Sequence, residues 1–215
     1  MKILHVYKDY FPVVGGIENH VRVLAEAQVV SGHDVTVLVC GRGHRTHTET
    51  QAGVKIVRAG RITTLASMPL SLSQPLFLAR LRPDIVHIQS PYPLGEAANW
   101  LLGRGQATVI SYQSDIVRQR KWLHLYAPIL RRVLQKADCI IASSPCYVET
   151  SPWLRPVREK CVIVPIGVNP ERFTADYYVH SGPLELLFVG RLRYYKGLST
   201  LIRALPELSE TRLIV

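Results

Sequence analysis

Nothing in this chain pairs its four cysteines. Cys40, Cys139, Cys146 and Cys161 show no C-x-x-C spacing, and three of them lie in or beside apolar, strand-like runs. Free thiols fit that placement better than disulfides or a metal cluster. The eight histidines are scattered, with no H-E-x-x-H or similar ligand spacing, so no structural metal is expected. No apolar run approaches the roughly 20 residues that a membrane-spanning helix needs. The opening MKILHVYKDY has only a short apolar stretch before Asp9, which does not read as a secretory signal. The cytosol is the simplest location. Acid is also scarce: 16 Asp and Glu stand against 26 Lys and Arg, for a net charge of +10. Such an excess points to an anionic partner, whether nucleic acid, a membrane face or a phosphorylated substrate.

What is present is a core. Of the 215 residues 47% are hydrophobic and 20% charged, which suits a soluble globular protein of one large domain, or one domain and part of another. Short β-branched runs (KILHVY, DVTVLV, VKIVRA, DIVHIQ, ATVISY, CIIAS, CVIVPI) alternate with helical patterns. Most are nearly all apolar, as strands buried on both faces are. Ile17, Val21, Leu24 and Ala25 keep one apolar face after a Gly-Gly pair, and Ile129, Leu130, Val133 and Leu134 keep another. Pro128 is expected in the first turn of that later helix, where its missing N–H costs little. Alternating β and α implies an α/β fold with a parallel sheet and right-handed crossovers. The segment PIGVNPERFTADYYVHSGP breaks the rhythm. It divides the chain into a first domain over residues 1–170, a linker over 171–183 and the start of a second domain over 184–215. That second part offers a strand in LELLFVGRL, a helix in KGLSTLIRAL and a strand in RLIV, where the chain stops inside an apolar run. It therefore reads as truncated, with the last strand lacking neighbours.

In an open α/β sheet, ligands bind beyond the carboxyl ends of the strands. Gly15 and Gly16 follow the first strand, Gln113, Ser114 and Asp115 follow ATVISY, and Gly190 and Arg191 follow the first strand of the second part. Glycine at a loop-to-helix junction permits positive φ and leaves no Cβ in a ligand's way. The helix behind it offers unpaired N–H groups to an anion. A tight turn is the plain alternative. Arg191 and Lys196, five residues apart, suit a diphosphate whose charge grows as it leaves; solvated loop cations are the alternative there. A dinucleotide fingerprint is absent: the glycines come late, and Asn19 stands where a third would help.

The glycine pair, SD after ATVISY, VPIGVNPERF and VGRLRYYKGLSTLIRAL together resemble the family 4 retaining glycosyltransferases of the GT-B fold. The resemblance spans the whole chain and implies two Rossmann-like domains facing a cleft, the second of them truncated here. It implies transfer of a sugar, with retention, from a nucleotide-diphosphate sugar to a glycan or lipid-linked acceptor, with no metal cofactor. By the same resemblance Gly15 and Gly16 approach the donor phosphates, and Arg191 and Lys196 neutralise the leaving diphosphate. Gln113 stands where the family usually carries histidine; a glutamine can hydrogen-bond a sugar hydroxyl but cannot exchange a proton near neutral pH. The family's E-x7-E pair would lie beyond Val215, so the 215 residues alone are expected to be inactive.

Residues 117–136 hold six basic residues (Arg118, Arg120, Lys121, Arg131, Arg132, Lys136), no acid, and interleaved Trp122, Leu123, Leu125 and Tyr126. This suits an anionic membrane face and peripheral attachment on its cytoplasmic side, or else a solvated helix face. No nucleic-acid-binding signature accompanies the charge. His33 reads as a turn residue and His87 as a satisfied core histidine, while His20 sits on the glycine-led helix, where it could face the cleft. The rivals are a non-catalytic sugar-phosphate or membrane-binding module and a GT-B sugar-nucleotide epimerase.

Overall fold

The computed structural model describes residues 1–65, 68–116, 120–167, 182, 184–190 and 192–215, with the side chains of 120–125 outside that description. The chain divides into two units, Met1–Gly167 and Val168–Val215. Most of the expected linker, residues 171–181 and 183, lies outside the described residues.

The first unit runs β1 (Lys2–Val6), α1 (Gly16–Val30), β2 (Asp34–Cys40), β3 (His47–Gln51), β4 (Val54–Ala59), β5 (Thr63–Leu65), β6 (Met68–Leu70) and α2 (Ser73–Arg80). It continues with β7 (Ile85–Ser90), α3 (Pro93–Leu102), β8 (Ala107–Tyr112), α4 (Arg120–Lys136), β9 (Cys139–Ala142), α5 (Pro145–Thr150) and β10 (Cys161–Ile163). Eight strands form one sheet in the order β10-β9-β8-β7-β1-β2-β4-β3. Every pairing is parallel except β3 with β4, a hairpin that places the polar strand HTETQ on the outer edge. An exposed polar edge strand discourages pairing with another chain. The chain leaves β1 toward β2 on one side and returns to β7 on the other, so the strand order reverses between β1 and β7. The loops after these two strands contain the cis peptides Phe11–Pro12 and Ser90–Pro91.

The two faces of the sheet differ in chemistry. The parallel register sets His5 beside His87 and Gln89 beside Ser111. The period of two then puts all four side chains on one face. Helix α1 covers that face, burying Val21 and Ala25. On the other face Ile110 and Tyr112 pack against Leu130, Val133 and Leu134 of α4. Leu134 is 1% exposed, so truncating it to Ala should cost about 2–5 kcal/mol.

Two expectations need correcting. Pro128 lies inside α4, not in its first turn: the helix starts at Arg120. The buried stripe of Leu130, Val133 and Leu134 holds the segment helical despite a proline that cannot donate to the preceding turn. The terminal RLIV run is not without a neighbour either. In the second unit β12 (Thr211–Ile214) pairs in parallel with β11 (Leu184–Leu187), and α6 (Leu198–Ala204) forms the crossover. All four cysteines are free; Cys40 is buried and Cys146 exposed. Among the described residues no helix is long and apolar enough to cross a membrane.

Candidate functional site

The carboxyl edge of the first unit's sheet gathers most of the residues singled out above. Helix α1 begins at Gly16 with Gly15 as its N-cap, at φ −174° and ψ 162°. That is ordinary extended backbone, and Gly16 is helical, so neither glycine is there for a positive φ. What sets Gly15 apart is crowding. A Cβ there would run into the Glu18 carboxylate, the movable end of a flexible side chain, whereas one on Gly16 would meet nothing within 4 Å. Glu18 thus folds back over the start of its own helix, where a carboxylate suits the helix dipole. Any phosphate approaching Gly15 would have to displace it.

Beside this helix start a cavity of about 110 Å³ is lined by His20 and Leu24 from α1, His87, Ser111 and Gln113 from the sheet edge, and the Val164–Ile166 segment after β10. Its walls are largely apolar and its polar atoms few. Burial lowers the pKa of His20 below its usual range, so it faces the cavity neutral. A larger cavity, about 250 Å³, lies at the amino ends of β8 and β9 between α3 and α4, lined by Glu96, Asn99, Trp100 and Asp138 among others. It is at the wrong edge of the sheet for the ligand geometry of this fold.

Gln113 is half-buried and tethered by its backbone, whose N–H donates to Ser90 O at 2.9 Å. Its side-chain amide donates to Gln89 Oε1 at 3.0 Å. The Gln89 amide lies 3.3 Å from His87 Nε2, and Ser111 Oγ lies 2.8 Å from that same nitrogen. His87 is 5% exposed, and burial together with neighbouring His5 holds its pKa well below the usual range. A neutral imidazole therefore sits at the inner end of a polar chain that reaches the cavity at Gln113. His5, 0% exposed, lies with its ring centroid 5.0 Å from that of His87, the two planes tilted by 49°, and bonds Gln28 Oε1 on α1 through Nε2. Burial lowers its pKa to about 4.

The other two residues of the SYQSD run are placed differently. Ser114 is exposed. Asp115 turns inward: its Oδ1 accepts from Tyr112 Oη at 3.0 Å and from Ser151 Oγ at 2.8 Å. Burial and that carboxylate push the Tyr112 phenol far above its ordinary range, so it stays a donor. Asp115 pins the loop after β8 to the segment after α5, whatever else it touches.

In the second unit Lys196 is exposed and ends a short 3-10 turn, Tyr194–Lys196. Its Nζ lies 5.8 Å from the Tyr195 ring centroid. Gly197 follows in the left-handed region at φ 74°, and its carbonyl accepts from Thr200 and Leu201 as α6 begins. Only glycine takes that conformation without strain. Arg191 lies outside the described residues. So do Val117 to Gln119 of the basic stretch, and the side chains of Arg120 and Lys121 are likewise not described. Arg131, Arg132 and Lys136 are exposed on α4, with the Arg131 guanidinium 5.8 Å from the Trp153 ring. Reading the sequence overlooked Gln89, Ser111 and His5. The signal was there: polar residues at alternate positions of strands otherwise apolar.

The parallel sheet flanked by helices is that of the GT-B glycosyltransferases. The chain superposes on sucrose-phosphate synthase from Thermosynechococcus elongatus with a TM-score of 0.71, at 19% identity, over 99% of this chain and 61% of that one. It superposes on Anabaena HepE in complex with UDP-glucose at 0.68, with 14% identity, over 99% of this chain and 59% of that one. The Glycosyltransferase Family 4 model matches residues 14–172, and the chain belongs to that family. It is 35% identical to the D-rhamnosyltransferase WbpZ of Pseudomonas aeruginosa, over 95% of this chain and 56% of the relative. It is 32% identical to the O-antigen chain mannosyltransferase C of Escherichia coli, over 95% of this chain and 57% of the relative. The chain thus spans a little over half the length of these relatives.

Proposed function

We propose that the protein transfers a hexose or deoxyhexose, with retention, from a nucleotide-diphosphate sugar to a glycan or lipid-linked acceptor. The observation that carries this reading is the polar chain ending at Gln113 beside the glycine-led helix, at the carboxyl edge of the family's sheet. Relatives named for rhamnosyl and mannosyl transfer favour a donor of that kind.

Each residue then has a part. Gly15 and Gly16 leave room for the donor phosphates once Glu18 swings aside. Lys196 and Arg191 neutralise the diphosphate as it departs, when its charge is greatest. Gln113 binds and does not exchange protons, so the nucleophilic hydroxyl gives its proton elsewhere, for instance to a departing phosphate oxygen. Ser114 is free to meet substrate, and Asp115 holds the loop that carries both. No metal is assigned a role. The exposed Arg131, Arg132 and Lys136 face an anionic membrane when the acceptor is lipid-linked.

The natural protein, supplied with a nucleotide-diphosphate mannose or rhamnose and a glycan acceptor in the presence of a chelator, should yield a glycoside with the donor's anomeric configuration. Interconversion of free nucleotide sugars would instead favour an epimerase. Binding without turnover would favour a non-catalytic module.

A further inference from the structure

Neutral histidine has one nitrogen that donates and one that accepts, and this fixes what its neighbours present. With His87 Nε2 bare, it accepts from Ser111 Oγ at 2.8 Å and faces the Gln89 NH2 at 3.3 Å. Gln89 is fully buried, so its amide cannot turn to water. Its carbonyl must then point the other way, to the Gln113 NH2 at 3.0 Å. The Gln113 carbonyl is left facing outward, with no protein partner among the described residues.

The reverse chain is equally self-consistent. With the proton on Nε2, Gln89 would turn its carbonyl to His87 and its NH2 to Gln113, and Gln113 would show its own NH2 to the ligand. One imidazole tautomer, two residues removed, thus decides whether the site offers an acceptor or a donor. The amide orientations in this structure, Gln89 Nε2 toward His87 and Gln89 Oε1 toward Gln113 Nε2, are those of the first arrangement.

We propose that His87, Ser111 and Gln89 are positioning residues that hold the Gln113 carbonyl toward the ligand, so that this subsite takes a neutral sugar hydroxyl and rejects an oxyanion such as a uronate carboxylate. The choice of ligand class rests on the glycosyltransferase reading; the direction of the chain does not. A carbonyl oxygen accepts from a hydroxyl but repels a carboxylate, and the largely apolar cavity beside it provides no counter-charge.

Two measurements test this separately. Nitrogen-15 NMR of the histidine side chains of this chain should find His87 neutral with its proton on Nδ1. A proton on Nε2 would overturn the proposal whether or not the protein is a transferase. In the natural protein, Gln89→Leu should raise KM for the sugar substrate about tenfold, roughly one charge-neutral hydrogen bond's worth, with kcat within about twofold. Gln89→Glu still places an acceptor opposite the Gln113 NH2, its second oxygen sharing a proton with His87 Nε2, and should restore KM to within about threefold. It should leave discrimination against uronate-bearing substrates intact, whereas Gln89→Leu should weaken it. If both variants lower kcat and melting temperature together and leave KM and discrimination unchanged, Gln89 is only a core residue and the proposal fails.

Discussion

At Gly16 a single methyl group separates two roles. The residue is helical and a Cβ there meets open space. By folding alone, Gly16→Ala should stabilise the protein by about 0.4–1 kcal/mol through the unfolded chain. If the donor diphosphate approaches this helix start, the same change should weaken donor binding, seen as a higher KM for the nucleotide sugar despite a higher melting temperature. Unchanged KM would make the pair merely a turn. His5 supports a second prediction. It is buried neutral with a pKa of about 4, while in the unfolded chain it takes up a proton near pH 6.5. Between those values the unfolded state binds more protons, so stability rises with pH. Acidifying from pH 7 to 4 should remove on the order of 3 kcal/mol through this residue. Urea titrations of wild type and His5→Gln should show the variant losing less. The site was only partly legible at this scale. Its strand-end residues could be found by position, but hydrogen bonds between neighbouring strands depend on register, so the Gln113–Gln89–His87 chain could not be read off.

Among the elements, α4 combines an apparent defect with an exposed charge. Pro128 sits eight residues into a helix that begins at Arg120, where an interior proline costs about 3 kcal/mol. Pro128→Ala should stabilise the protein, read as a higher urea midpoint, and by less than about 3 kcal/mol if the helix bends there to relieve the clash. An unchanged or lower midpoint would mean that the backbone geometry set by the proline is itself needed there. The exposed face of the same helix should bind anionic vesicles in a salt-sensitive way, since such charges are screened over about 8–10 Å. Replacing Arg131, Arg132 and Lys136 by Ser should weaken that binding by roughly 1 kcal/mol per charge, and equal binding to neutral vesicles would leave only a solvated face. The apolar strands and helix α1 were legible because their periodicity is strong. The hairpin strand HTETQ was not, because all of its side chains are exposed and an edge strand with no buried face has no hydrophobic pattern. Pro128 misled for a related reason: local preference marked a helix start, and packing overrode it.

At the scale of the whole molecule, the family defines the scaffold, and a loop in the second unit carries the sharpest chemical assignment. Gly197 at φ 74° shapes that loop and Lys196 is exposed on it, so substitution at Lys196 should leave the fold intact. The most direct test is steady-state kinetics of Lys196→Ala in the natural protein. If Lys196 meets the departing diphosphate, kcat/KM should fall by about 2–4 kcal/mol, some 30- to 1,000-fold, because the developing charge loses its counter-ion. Affinity for the free nucleoside diphosphate should drop less, and the melting temperature should stay near that of wild type. A folded Lys196→Ala protein that turns over at the normal rate would contradict the assignment and leave the loop as a structural turn.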